Sequence, residues 1–322
     1  MKKWITNVLL IIFSLVFLVS LGFLLDYFME SRKEQNTYND LSNLVEDIRN
    51  EQLATQDTEP GTNGSDSEVV VEPEYQDDEP GKPRPSWVSM RHPVTGELIK
   101  VLPEYAKVFS LNSDMIGWIK IEGTKVNYPV MQTTDPERED YYLDHNFNNQ
   151  ESKFGCIYVE EKCDLSNSPD NITIYGHNMR DGSMFAALHG YRNEEFFHEH
   201  PVIQFDTLTR RNTYEILSVF TTTASFGKGF PYHAFVKALN EEIFLKFVSD
   251  CKELSLYDTG VDAVYGDKLI CLSTCEYTQE EGRLVVVAKR VVPVVVKPGA
   301  RPGFFSTVLT PRGAYIPDGL LI

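Results

Sequence analysis

Cys275 closes the run Leu269-Ile270-Cys271-Leu272-Ser273-Thr274-Cys275, which begins apolar, turns polar and gives way to Glu276. A thiol at a strand end is held rigidly yet stays reachable, which suits a nucleophile. His177 stands in Ile174-Tyr175-Gly176-His177-Asn178-Met179, just past another apolar run. An imidazole so placed exchanges protons near neutral pH. Arg283 follows Gly282 and opens Arg283-Leu284-Val285-Val286-Val287-Ala288, eight residues after Cys275. A permanent cation beside a thiol stabilises a thiolate or a developing oxyanion. Taken singly, each residue has a plainer explanation: a packed thiol, one of seven histidines, a strand-end arginine in an ion pair. Taken together, they are a candidate nucleophile, a proton carrier and a fixed cation, the parts that nucleophilic catalysis needs.

Positioning three such groups requires a strand-rich scaffold. Residues 116–121 alternate as a strand, Glu122-Gly123-Thr124 turns, and 125–132 returns. Further strands are expected over 155–160, 171–175, 202–206, 213–223, 267–272 and 283–291. Their spacing, with turn residues between them, points to a barrel or sandwich. One short helical segment precedes the strands and two helices interrupt them. Pro103 opens the first, carrying Tyr105, Val108 and Phe109, and 183–190 forms another with Met184, Phe185 and Leu188. The third starts at Asn240 as N-cap, with Glu241 and Glu242 in its first turn and an apolar face of Phe244, Phe247, Val248, Cys251 and Leu254.

The N-terminal region is of a different kind. Lys2 and Lys3 precede an uncharged run over 4–25, which as a helix is about 33 Å long, enough to cross a bilayer core of roughly 30 Å. Residues 1–30 read as a membrane anchor with a cytoplasmic N-terminus, because the lysines lie on the short side. A cleaved signal peptide is the rival, but the run is long for one and no A-x-A-like site follows. Residues 31–55 read as an amphipathic helix through Leu41, Leu44, Val45 and Ile48. Residues 56–86 read as an acidic, disordered linker: from Glu51 to Pro85 there are ten acidic residues and two basic ones. The globular part is 87–292, and 293–322 is an extension without an assigned role. The net charge of -17 argues against a nucleic-acid binder. Five cysteines are too few for a disulfide framework.

Tyr-Gly-His after a strand, Leu-Ser-Thr-Cys at a strand end and Gly-Arg opening the next strand together resemble the sortase family. The interval of 98 residues from His177 to Cys275, with a helix inside it, resembles class B. So do Asn127-Tyr128-Pro129-Val130 and Tyr142-Leu143-Asp144-His145-Asn146-Phe147. One position departs from the family pattern: Cys271 stands where threonine is usual, and a packing role is expected for it. The resemblance implies a mainly β fold: a closed barrel of about eight strands with short helices, plus the N-terminal transmembrane helix.

It also implies a cysteine transpeptidase without metal or cofactor, acting on secreted proteins that carry a C-terminal sorting signal cut after threonine. Cys275 would attack, His177 would exchange protons, and Arg283 would hold the oxyanion with the backbone N–H of Glu276. Tyr175, Ser273, Thr274 and Glu276 would contact substrate, while Asn127 and Leu143 would form the groove wall. The accepting amine would belong to a peptidoglycan precursor outside a single-pass membrane anchor. A pilin-polymerising sortase and a non-enzymatic adhesin on the same scaffold are the alternatives. Papain-like and caspase-like signatures are missing, and Cys156, Cys163, Cys271 and Cys275 lack the paired spacing of a zinc knuckle.

Overall fold

The apolar N-terminal run and the amphipathic stretch after it form one unbroken helix, α1 (Lys2–Gln56), in a computed structural model of the chain. The structure describes residues 2–56 and 87–291 except 134, 136, 162, 226 and 279. The expected linker beyond Gln56 and the extension over 293–322 lie outside the described residues. The expected boundary at residue 30 is no break in structure. Gly22 is the only glycine up to Gln56 and proline is missing from that stretch, so nothing stops helix propagation. Along the first part, Trp4, Leu10, Phe13, Phe17 and Phe23 are each at least 60% exposed. By length and composition this part suffices to cross a membrane. From Ser31 onward the helix gains a buried stripe, Ser31, Glu34, Tyr38, Leu41 and Val45, at the three-and-four spacing of one helix face.

A small hairpin follows, β1 (Val88–Arg91) with β2 (Leu98–Val101), and then α2 (Pro103–Leu111). Eight strands then close a barrel: β3 (Met115–Lys120), β4 (Asn127–Met131), β5 (Ile157–Val159), β6 (Asn171–Tyr175), β7 (Val202–Thr207), β8 (Thr213–Thr223), β9 (Leu269–Cys275) and β10 (Gly282–Arg290). Their order around the barrel is β10-β8-β7-β3-β4-β5-β6-β9. Closure removes the free edges that an open sheet would expose. The barrel expected from the sequence is therefore present. The hairpin and a short helix, α3 (Glu194–Glu199), were not expected, and the helix expected over 183–190 is a 3-10 helix shifted to Phe185–Arg192.

Two apolar clusters flank β9 and β10. Ile270, Leu272, Leu284, Val286 and Ala288 join the main core with Ile119, Val130, Ile157, Ile174 and Ile216. Cys271, Val285, Val287 and Leu217 point the other way and are covered by Phe244, Phe247, Val248 and Cys251 of α4 (Glu241–Leu254). The side chain of Asn240 caps α4 by accepting from the Ile243 amide at 3.0 Å. Each fully buried α4 side chain contributes about 1.5–3 kcal/mol. Because β9 is covered on both faces, its terminal residue is a fixed point.

Candidate active site

Strands β6 and β9 run parallel, with Asn171 beside Leu269 and Tyr175 beside Ser273. That register is an offset of 98 residues, and the same offset carried past the end of β6 sets His177 beside Cys275. Strand β10 lies antiparallel on the other side of β9, with Arg283 directly opposite Cys275. Residues in register across neighbouring strands share a face. Three adjacent strand ends thus deliver a thiol, an imidazole and a guanidinium to one rim of the barrel, on the face that α4 covers farther along. All three residues are half-buried.

His177 is held by its surroundings. Its Nε2 lies 2.7 Å from the carbonyl oxygen of Leu143, which can only accept, so Nε2 carries a hydrogen and Nδ1 faces away from this contact. The His177 carbonyl accepts from the Phe185 amide at 2.9 Å. The preceding glycine is required by close packing: a Cβ on Gly176 would lie 2.5 Å from Ile157 Cδ1 and 2.7 Å from the Phe185 ring. The Tyr-Gly-His string therefore reflects a tight seat for the turn that presents the imidazole.

The end of β9 is tied down residue by residue. Ser273 Oγ and the Tyr232 hydroxyl lie 2.7 Å apart, and Thr274 Oγ1 donates to the Gly176 carbonyl at 2.7 Å. The Cys275 carbonyl is approached by Asn178 Nδ2 at 3.2 Å and His189 Nε2 at 3.0 Å. Arg283 Nη1 donates to the Gly282 carbonyl at 3.0 Å, which orients the guanidinium. Among the described residues, Arg283 is paired with no carboxylate. Its charge reaches Tyr232: burial pushes that hydroxyl up to about 12, against the Ser273 hydrogen bond and the Arg283 cation.

Several expected contacts are corrected by this geometry. The Glu276 amide donates to the Gly282 carbonyl at 2.9 Å, closing the β9–β10 hairpin, so it is not a free oxyanion donor. The Glu276 side chain is buried and paired with Arg192 Nη2 at 3.1 Å. Burial disfavours its charge, but hydrogen bonds from Thr278 and the Arg192 cation outweigh this and hold the carboxyl below its usual range. Ser273 and Thr274 are 1% and 2% exposed, so they support the strand from within and do not line a groove. Asn127 accepts from Trp118 Nε1 at 2.7 Å, on a strand separated from β9 by β5 and β6. Its surroundings are α1 residues Glu34, Gln35, Tyr38 and Asn39. Tyr175 does remain near, half-buried at the end of β6 with its ring 5.6 Å from that of Tyr158. Leu143 is 43% exposed, and its carbonyl holds the imidazole.

Sequence reading missed Asn178 and His189. Asn178 follows His177 directly, which is a local signal. His189 is 86 residues from Cys275, and no motif joins them. Cys271 is fully buried under α4, in agreement with a packing role. All five cysteines are free thiols.

Known proteins resemble this arrangement over most of the barrel. A family model described as a sortase domain matches residues 119–291. Sortase B of Listeria monocytogenes is 34% identical over 200 residues, covering 62% of this chain and 77% of that relative. A solved structure of sortase B from B. anthracis in complex with AAEK1 superposes with a TM-score of 0.59 at 26% identity, covering 83% of this chain and all of that one. A Staphylococcus aureus sortase B–substrate complex shares the fold with a TM-score of 0.60 at 24% identity, covering 82% and 99%.

Proposed function

The chain belongs to the sortase family of cysteine transpeptidases and is most like class B; on that premise we propose that it cleaves a C-terminal sorting signal after threonine and transfers the new carboxyl end to an amine of a peptidoglycan precursor. Cys275 attacks the threonine carbonyl as a thiolate, giving a tetrahedral oxyanion. Arg283 carries the stabilisation of that oxyanion, using guanidinium hydrogens other than those turned to Gly282, since the Glu276 amide is engaged elsewhere. His177 passes a proton from Nδ1 to the departing amine, the C–N bond breaks, and a thioester remains. The neutral imidazole keeps its hydrogen on Nε2, held by Leu143. The incoming amine then attacks the thioester and gives a proton to Nδ1, and the thiolate leaves. Tyr175 and the exposed side chain of Leu143 flank the path of the signal peptide.

One observation carries this reading: the registers of β6 on β9 and of β9 on β10 bring His177, Cys275 and Arg283 to one rim. The anchor is read with its N-terminus in the cytoplasm and the barrel outside, supported by Lys2 and Lys3 before the apolar run. The test is cleavage of a panel of sorting-signal peptides by the full chain in detergent micelles, with an amine acceptor added. Cys275→Ala should abolish cleavage and the amide product. His177→Ala should cost at least about a hundredfold, and Arg283→Ala about a hundredfold to a thousandfold in kcat. Undiminished cleavage by Cys275→Ala would overturn the assignment.

A further inference from the structure

The backbone carbonyl of Cys275 is gripped by two side chains to which the transfer chemistry gives no role. Asn178 Nδ2 and His189 Nε2 lie 3.2 and 3.0 Å from that oxygen, and 2.9 Å from each other. Asn178 Nδ2 can only donate and gives a hydrogen to that oxygen; His189 donates to it in the tautomer that carries its hydrogen on Nε2, and the 2.9 Å approach of the two nitrogens is then a packing contact and not a hydrogen bond. Asn178 is the residue after His177. His189 belongs to the 3-10 helix Phe185–Arg192, whose last residue holds the Glu276 carboxylate. The same helix therefore grips the carbonyl of residue 275 and the carboxylate of residue 276.

The need for such a grip follows from where β6 stops. Regular pairing of β6 with β9 ends at the Gly176 amide, which donates to the Ser273 carbonyl at 3.1 Å. Beyond it the Thr274 hydroxyl reaches the Gly176 carbonyl, and among the described residues the Asn178 side chain is then what ties the segment bearing His177 to Cys275 itself. On the other side, the Glu276 amide is bonded to Gly282, so the β9–β10 hairpin fixes the cysteine relative to Arg283. Asn178 and His189 supply the matching restraint relative to the imidazole.

We propose that Asn178 and His189 are positioning residues that set the Cys275 thiol against His177 by holding the Cys275 carbonyl. This rests on Cys275 being the nucleophile. Neither residue reaches the scissile bond through this contact. Their effect is geometric, and misplacement of a reacting group by about 1 Å costs on the order of a hundredfold in rate.

The test measures kcat and KM of the full chain with a cleaved signal peptide, together with the iodoacetamide alkylation rate of Cys275 and the thermal midpoint. His189→Ala should lower kcat about tenfold to a hundredfold with KM within about twofold. His189→Gln, whose amide returns an N–H to the same place, should recover most of the loss. Asn178→Asp keeps the size but replaces the donor with an acceptor, and should lower kcat in the same way. Wild-type kcat in His189→Ala, a His189→Gln as slow as His189→Ala, or wild-type kcat in Asn178→Asp overturns the proposal. Should His189→Ala fail to fold, the Asn178→Asp result decides it. Activity in Cys275→Ala would instead overturn the nucleophile, which is a separate failure.

Discussion

Cys271 and Cys275 lie four residues apart on the same face of one strand, and their surroundings give them different chemistry. Cys271 is sealed beneath α4, where burial pushes its thiol up to about 12 against a hydrogen bond from Asn171. Burial also raises Cys156 and Cys251, and pushes Cys163 up to about 11. A thiol that keeps its proton at pH 7 is a poor nucleophile. Brief treatment with iodoacetamide at pH 7 should therefore modify Cys275 ahead of the other four, as read by peptide mass mapping. Faster modification of Cys271 would contradict the assigned burial. Ser273, Thr274 and Glu276 are expected at the substrate only through the family resemblance. Their polar atoms are matched to Tyr232, Gly176, Arg192 and Thr278, partners that only the folded sheet brings near.

At the level of elements, the register of β6 on β9 sets the position of His177 beside that of Cys275, and Thr274 is the side-chain rung that extends the pairing. Thr274→Val keeps the shape but leaves the Gly176 carbonyl without that donor. It should cost about 1–3 kcal/mol of stability in denaturant unfolding, with a lower kcat. An unchanged midpoint and unchanged kcat would show that the rung is not needed. The barrel strands were legible because their residues are apolar and β-branched over whole runs, as in Leu284 to Ala288. The interval of 98 residues between His177 and Cys275 turns out to be the strand register itself. That these two strands are neighbours is a tertiary fact, and the numbers alone did not carry it. The β1–β2 hairpin escaped notice because Val88 and Leu98 are exposed, so its strands show no clear division into a wet and a dry face. The Glu276 amide was misread for a related reason: a hairpin closing at Gly282 engages the hydrogen that a loop would have left free.

Across the whole molecule, α1 joins the apolar N-terminal run to the barrel without interruption and touches both loops that seat His177. Ser31 and Gln35 donate to Asp181, four residues past His177, at 2.5 and 3.1 Å. Glu34 accepts from Asn146, three residues past Leu143, at 2.7 Å. Near its far end, Arg49 bonds Asp206 at 2.7 Å, Glu104 at 3.4 Å and the Tyr105 hydroxyl. Arg49→Ala would leave the fully buried Glu104 with Arg211 as its remaining cation, and should lower stability by about 3 kcal/mol in thermal or denaturant unfolding. A loss well under about 1 kcal/mol would mean that this lock is not what holds α1. Burial also sets the alkaline limit. Tyr128, Tyr214 and Tyr232 are pushed up to about 12, above the value near 10 of an unfolded tyrosine, and the buried thiols stand above about 8.5. Unfolded chains therefore release these protons first as pH rises. Stability from these groups is complete below about pH 8.5 and is lost progressively towards pH 12, at about 1.4 kcal/mol per pH unit for each group within its window. Thermal midpoints should be level in this respect between pH 7 and 8 and fall steeply above pH 9; a midpoint constant up to pH 11 would contradict the buried state of these groups. All of the proposed chemistry runs through one sulfur that forms the covalent intermediate. Mixing the full chain with a cleaved signal peptide, quenching in acid and sequencing the digest by tandem mass spectrometry tests that most directly. The acyl group, ending in threonine, should be found on Cys275 and should disappear when an amine acceptor is added; an acyl group on any other residue would contradict the account.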